Sequence, residues 1–180
     1  MPTTTISNLT CEYRTNPLGI DVLQPRLSWQ MQSDRRGARQ TAYQILVAAS
    51  ETSLDSGQGL LWDSGRVETD QSIHVAYQGL ALVSAQRVYW KVRVWNEAGQ
   101  MSESLPAWWE MGLLARSDWQ AQWIGSPIYG GPRTPSPAPY LRKEFTLRKQ
   151  LVTARLYATA IGLYAVSYTH LRAHETVLDL

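Results

Sequence analysis

Residues 87–95 alternate with a strict period of two: Val88, Trp90, Val92 and Val94 fall on one side, and Tyr89, Lys91, Arg93 and Trp95 on the other. In an extended strand successive side chains point to opposite faces, so one face of this segment is made to pack in a core. A helix would scatter the same valines around its circumference. The run stops at Asn96-Glu97-Ala98-Gly99, which reads as a four-residue hairpin loop closed by glycine. Residues 108–113 are the expected partner strand.

Shorter runs of the same kind precede it, separated by clusters of Gly, Pro, Asp and Ser. Residues 26–32 give the first clear strand, with Leu27, Trp29 and Met31 on one face. In residues 41–48, Tyr43, Ile45 and Val47 alternate against Ala42, Gln44 and Leu46. Residues 60–62 lead into Asp63-Ser64-Gly65, a turn by residue chemistry: Asp caps the backbone and Gly tolerates positive φ. Residues 73–77 form another short strand ending near Gly79. No apolar period of 3.6 runs for about ten residues anywhere before residue 115, so no substantial helix is expected. Many short strands with regular turns predict an all-β domain, an immunoglobulin-like or fibronectin-III-like sandwich over residues 1–115.

Composition agrees. Apolar residues make up 44% of the 180 and charged residues 18%, enough to bury a core. Eight Trp and nine Tyr stand against a single Phe, and all eight Trp lie between Trp29 and Trp123. The net charge is +2, from 17 basic and 15 acidic residues. The basic residues are scattered, so no phosphate-binding stripe forms and nucleic acid is not an expected partner. Cys11 is the one cysteine, which excludes an intrachain disulfide and a Cys-based zinc site. Met1-Pro2-Thr3-Thr4-Thr5 lacks the basic and apolar regions of a secretory signal, and no run approaches about 18 apolar residues. The expectation is a soluble, cytoplasmic protein with no membrane partner.

Organisation changes after residue 115. Residues 125–139 hold five Pro and three Gly, too many breakers for a strand or helix. Residues 116–139 are therefore expected to be a linker. Beyond it, residues 141–147 and 153–165 look like strands again, the opening of a second β-sandwich over residues 140–165 that has no room to finish.

Seven motifs stand in order along the chain. They are Asn16-Pro17-Leu18-Gly19-Ile20-Asp21, Pro25-Arg26-Leu27-Ser28-Trp29, Gln40-Thr41-Ala42-Tyr43-Gln44-Ile45 and Leu61-Trp62-Asp63-Ser64-Gly65, then three more. Those three are Tyr89-Trp90-Lys91-Val92-Arg93-Val94-Trp95, Trp119-Gln120-Ala121-Gln122-Trp123-Ile124-Gly125 and Tyr140-Leu141-Arg142-Lys143-Glu144-Phe145. In this order and spacing, residues 8–165 resemble the N-terminal region of bacterial α-L-rhamnosidases. The resemblance implies a fibronectin-III-like sandwich, then the start of a second, carbohydrate-binding-like sandwich. It also implies that catalysis belongs to a downstream (α/α)6 barrel, in which two carboxylates hydrolyse terminal α-L-rhamnosides with inversion. No position here matches that barrel, so no catalytic residue carries over. The downstream domains of the same polypeptide are the implied partners, and the rhamnoside substrate is reached only through them.

The last fifteen residues, 166–180, leave the family pattern. Val166-Ser167-Tyr168-Thr169-His170-Leu171-Arg172-Ala173-His174-Glu175-Thr176 resembles the translation of a sequencing-library adapter, and the segment is expected to be a non-native tail.

Candidate chemistry is sparse. His170 and His174 have metal-ligand spacing, but they lack a third ligand and lie in that tail. A glycosidase needs a carboxylate pair with one raised pKa. Asp63 sits in a turn, Glu68 and Asp70 in a polar loop and Glu97 in the hairpin, where turn chemistry accounts for them. Glu110 alternates with Trp109 and Met111 and is expected to face solvent. Trp108 and Trp109, being adjacent on a strand, cannot form one sugar platform: one belongs to the core and the other to the surface. Trp29, Trp90 and Trp95 read as structural, and Trp119 with Trp123 as packing at a domain junction. Gly130-Gly131 lacks the strand and helix of a phosphate loop. His74 is the one histidine outside the tail, and no Ser-His-Asp arrangement is arguable. The expectation is a chain with no catalytic, metal or cofactor site, inactive alone, with a free-standing carbohydrate- or protein-binding module as the rival reading.

Overall fold

A computed structural model of the chain describes residues 4–127, 138–144, 153–161 and 165. It divides into two compact units, Met1–Gln120 and Ala121–Leu180.

The first unit holds β1 (Thr4–Cys11), β2 (Arg26–Ser33), β3 (Gln40–Ala48), α1 (Glu51–Ser56), β4 (Leu60–Asp63) and β5 (Val75–Ala76). It continues with β6 (Arg87–Asn96), β7 (Met101–Glu103), β8 (Ala107–Glu110) and a 3-10 turn at Arg116–Asp118. One sheet has the order β1-β2-β5. The other runs β4-β3-β6, with β7 and β8 both on the far edge of β6. Every strand pairing is antiparallel.

The period-two reading of β6 holds: Val88, Trp90, Val92 and Val94 are all at most 1% exposed. They meet Leu27 and Trp29 of β2, Tyr43, Ile45 and Val47 of β3, and Trp109 and Met111 in one apolar cluster. Each such side chain taken from water stabilises the fold by roughly 1.5–3 kcal/mol, before chain entropy is subtracted.

The edge of β6 differs from expectation. The chain leaving the Asn96–Gly99 loop pairs at once as β7, with Trp95 opposite Met101. Residues 107–110 instead pair with the other end of β6, Arg87 opposite Glu110 and Trp90 opposite Ala107. The two short strands are one edge interrupted by Ser104-Leu105-Pro106, since proline cannot donate to a ladder. Ser104 spans the break: its N–H donates to the Val92 carbonyl at 2.9 Å, and its hydroxyl accepts the Val92 N–H at 3.1 Å.

β1 also precedes the first strand expected from sequence. Its alternation is broken by a bulge between Ser7 and Thr10, where Asn8 takes φ 50°. α1 is six residues long, too short to show a helical period. Its ends are nonetheless well specified: the Ser50 hydroxyl accepts the Ser53 N–H, and Gly57 closes it in the left-handed region. α1 covers the outer face of the second sheet, burying Leu54 against Leu46 and Ala48.

In the second unit no strand is formed by the described residues 141–144 and 153–161, where two strands were expected. Residues 145–147 and 162–164 of those two candidates lie outside the described residues. Physically, a lone two-stranded ladder leaves one apolar face uncovered and is marginal in water. The tail at 166–180, with His170 and His174, and Gly130-Gly131 also lie outside the described residues.

Candidate functional site

Asp63, Glu68 and Glu97 are each engaged by separate partners. Asp63 Oδ1 accepts the Gly65 N–H and the Gln44 amide, both at 2.8 Å, as its turn chemistry requires. Glu68 pairs with Arg66 at 2.7 Å. Asp70 is exposed, in the loop whose Thr69 and Gln71 carbonyls take the Gln40 amide. Glu97 pairs with Arg35 and accepts the Arg39 N–H at 3.0 Å.

Glu110 corrects an expectation. It is 7% exposed, not solvent-facing, and the Arg87 guanidinium reaches it at 3.0 Å. The reason is its setting on both sides. Arg87 sits directly opposite on β6, while the Asn16–Asp21 motif runs along the other edge of β8. There the Glu110 N–H donates to the Pro17 carbonyl and its carbonyl accepts the Ile20 N–H, both at 3.0 Å.

A general acid needs a carboxyl with a raised pKa. Among the described residues the carboxyls that are clearly displaced go the other way. Hydrogen bonds from Arg26 hold Glu12 below the usual range. At Glu103 burial pushes upward, but Arg93 and Lys91 together outweigh it and the pKa falls. Asp118 is lowered by the Ser84 hydroxyl and the Ala115 N–H.

The indoles divide as their strand positions dictate. Trp29, Trp90 and Trp109 are core residues, at most 1% exposed. Trp108 lies on the opposite face from Trp109, with the Arg87 guanidinium 4.0 Å from its ring centroid. Trp95 is likewise half-buried, with Arg66 stacked at 4.8 Å. Each of these two rings thus already carries a cation on one face. Trp119 is 39% and Trp123 72% exposed.

Two clusters escaped the sequence reading. Lys91, on the outer face of β6, is 5% exposed and pairs with Glu103 at 2.9 Å and Asp55 at 3.6 Å. Its signal was the Lys91-Arg93 alternation facing Glu103, invisible while β7 went unrecognised. The second cluster surrounds Arg26, which makes hydrogen bonds of 2.6–3.3 Å to Glu12 and stacks 5.2 Å from the Tyr13 ring. Tyr13 meets His74 edge-on at 5.1 Å. Glu12, Tyr13 and His74 all take positive φ, which in non-glycine residues costs about 1 kcal/mol or more each.

The surface offers shallow hollows. One of about 350 Å³ is lined by Asn8, Thr10, Thr15, Ser28, Gln30 and Ile73 over buried Trp29. Another of about 280 Å³ lies around Trp62, Asp63 and Gln78. Among the described residues no three His, Cys, Asp or Glu side chains gather as a metal would require. No helix there is long and apolar enough to cross a membrane.

The family described as Rha78A-like, N-terminal immunoglobulin domain, matches residues 6–115. An α-L-rhamnosidase of Streptomyces avermitilis is 37% identical over 97% of this chain, which spans 19% of that relative. One from Formosa agariphila is 40% identical over 84% of the chain and 17% of its own length. In structure, S. avermitilis α-L-rhamnosidase complexed with L-rhamnose superposes with a TM-score of 0.68 at 41% identity, covering 72% of this chain and 13% of that one. The Dictyoglumus thermophilum α-L-rhamnosidase follows at TM-score 0.66 and 32% identity, over 70% of this chain and 14% of that one. The chain therefore spans about a fifth or less of the relatives it matches. With its two sheets, its motif-bearing turns and the match across residues 6–115, this chain belongs to the Rha78A-like N-terminal immunoglobulin domain family.

Proposed function

We propose that this chain is the non-catalytic N-terminal sandwich of an α-L-rhamnosidase, and that hydrolysis of terminal α-L-rhamnosides belongs to parts of the parent polypeptide beyond it. The observation that carries this reading is a domain-length likeness to α-L-rhamnosidases that accounts for only 19% of one relative and 17% of another. The carboxylate chemistry supports it: Glu97 and Glu110 are each paired with an arginine, and the clearly displaced carboxyls among the described residues, Glu12, Glu103 and Asp118, are lowered. The role left to the domain is scaffolding within carbohydrate metabolism, with the downstream domains of its own polypeptide as partners. A cytoplasmic location belongs to the same proposal, since the one cysteine, Cys11, needs no oxidising compartment. Cell fractionation tests that point.

The function is tested by expressing the uninterrupted reading frame beyond residue 164 beside residues 1–180. The parent is expected to release product from an aryl α-L-rhamnoside and the short chain to release none. Turnover by residues 1–180 that survives further purification and scales with protein concentration would overturn the proposal. So would a folded parent with no α-L-rhamnosidase activity.

A further inference from the structure

The bulge in β1 shapes a polar hollow on the first sheet. Ser7 pairs with Gln30 and Thr10 with Ser28, so Asn8 and Leu9 together stand opposite Trp29 alone. Leu9 packs against the core, which leaves Asn8, at φ 50°, as the extra residue, exposed. A bulge re-aims a side chain in this way, and bulges are over-represented beside functional sites. Here the Asn8 side-chain amide meets that of Gln30 across the strands at 2.6 Å. Both line the hollow of about 350 Å³, together with Thr10, Thr15, Ser28 and Ile73.

Much of the hydrogen-bonding capacity here is unused. Whichever way the two amides are turned, their mutual bond leaves N–H donors and one carbonyl acceptor over. Ser28 Oγ accepts the His74 N–H at 3.0 Å, so the Ser28 hydroxyl proton is left to donate. That bond helps hold His74 at φ 56°, a left-handed conformation of the kind that clusters at ligand sites. Ile73 beside it is 60% exposed. The Thr10 and Thr15 hydroxyls make no hydrogen bond among the described residues.

We propose that the hollow formed by Asn8, Thr10, Thr15, Ser28, Gln30 and Ile73 is a weak binding site for an uncharged sugar ring. The inference goes beyond the scaffolding role above and does not depend on it. No charged side chain lines the hollow, as an anionic ligand would want, and no carboxylate or imidazole does, as a metal ion would want. The backbones of β1 and β2 are committed to their own ladder at Thr10 and Ser28, so a peptide strand laid on this face finds no main-chain partners. Hydroxyls and amides that donate and accept, beside one apolar side chain, match a sugar: its hydroxyls at the ring edge, its C–H groups on the ring face. The volume lies at the small end of small-molecule sites, about 300–1,000 Å³, which suits a single ring.

The test is an NMR titration of isotope-labelled residues 1–180 with methyl α-L-rhamnopyranoside, methyl α-D-glucopyranoside and methyl β-D-galactopyranoside. The side-chain amide signals of Asn8 and Gln30 are expected to shift with at least one of the three and to saturate in the millimolar range. Gln30→Ala is expected to weaken that binding roughly tenfold, about the loss of one or two hydrogen bonds. Ile73→Ala, which removes the apolar wall, is expected to weaken it several-fold. Both positions are exposed, so the urea midpoint of each variant should match that of the unaltered chain. Gln78→Ala, in the hollow around Trp62 and Asp63, is the control and should leave sugar binding unchanged. Amide signals that move with none of the three sugars would overturn the proposal. So would binding that survives both Gln30→Ala and Ile73→Ala undiminished, or equal shifts of the same signals with sodium phosphate, which would mark an ion and not a sugar.

Discussion

The indole N–H of Trp29 donates to Gln40 Oε1 at 2.9 Å, joining the two sheets through a polar contact inside the core. The Gln40 amide then donates to the carbonyls of Thr69 at 3.2 Å and Gln71 at 2.7 Å. One side chain, 6% exposed, thus satisfies three groups and pins the loop before β5. A buried polar group is tolerated when its partners are complete and costly when they are removed.

Gln40→Leu keeps the volume but orphans the Trp29 indole and two carbonyls. The expected loss is roughly 2–4 kcal/mol, since each stranded buried group costs about 1–3 kcal/mol. Urea unfolding followed by tryptophan emission measures it. A loss under about 0.5 kcal/mol, the size of a remote surface effect, would mean that water replaces the glutamine.

What the sequence showed and hid follows from where each constraint originates. β6 was legible because Val88, Trp90, Val92 and Val94 obey one local period. β7 was not, because Met101-Ser102-Glu103 has no strand character of its own. It pairs because Asn96 Oδ1 accepts the N–H groups of Ala98 and Gln100, both at 3.0 Å, turning the chain back early. The carboxylates were legible as residues but not as ion pairs. Arg35 lies far along the chain from Glu97, and Arg87 from Glu110, so only the pairing of strands and loops brings them together. Glu110 was misread for that reason.

The Glu12–Arg26 pair makes stability depend on pH. The Arg26 hydrogen bonds lower the Glu12 pKa in the folded state relative to the unfolded chain. A depressed folded pKa gives stability that is present above the unfolded value, about 4.3, and lost as pH falls through the folded value. Glu103 and Asp118 act in the same direction. Arg26→Met is therefore expected to be less stable than the unaltered chain at pH 7, with the gap closing toward pH 3. Urea midpoints at the two pH values measure it. A gap that stays constant would show that the variant loses packing on Tyr13 and not the ion pair.

Among the described residues the buried core lies within the first unit. All residues of both apolar clusters with at most 8% exposure lie between Cys11 and Met111. Residues 1–120 are expected to fold as a separate chain with a sigmoidal urea transition. Blue-shifted emission from Trp29, Trp90 and Trp109 should be lost in the same transition. A gradual loss of emission without a transition would place part of the core outside this unit.

Gly79 is fixed by space and not by backbone freedom. A Cβ built there would stand 2.5 Å from the Leu61 carbonyl oxygen, the Trp62 Cβ and the Tyr77 hydroxyl. Two of those atoms belong to the backbone or lie next to it, and the third is held by its hydrogen bond to the Leu80 carbonyl at 2.8 Å. None can yield without moving β4 or the loop that follows β5. Tyr77 is also stacked edge-on against both Trp62 and Trp109, so its displacement would spread into the core. Gly79→Ala is therefore expected to cost roughly 1–3 kcal/mol, the range for overpacking a filled site. Gly57→Ala provides the contrast. Nothing lies within 4 Å of a Cβ there, but φ is +68°, so its cost of about 1 kcal/mol is conformational. The two causes separate on a second measurement. Overpacking at Gly79 should alter the near-ultraviolet circular dichroism of the Trp62–Tyr77–Trp109 stack, whereas Gly57→Ala should lower the midpoint and leave that spectrum unchanged. An unaltered spectrum and midpoint in Gly79→Ala would show that β4 can move away from the loop at little cost.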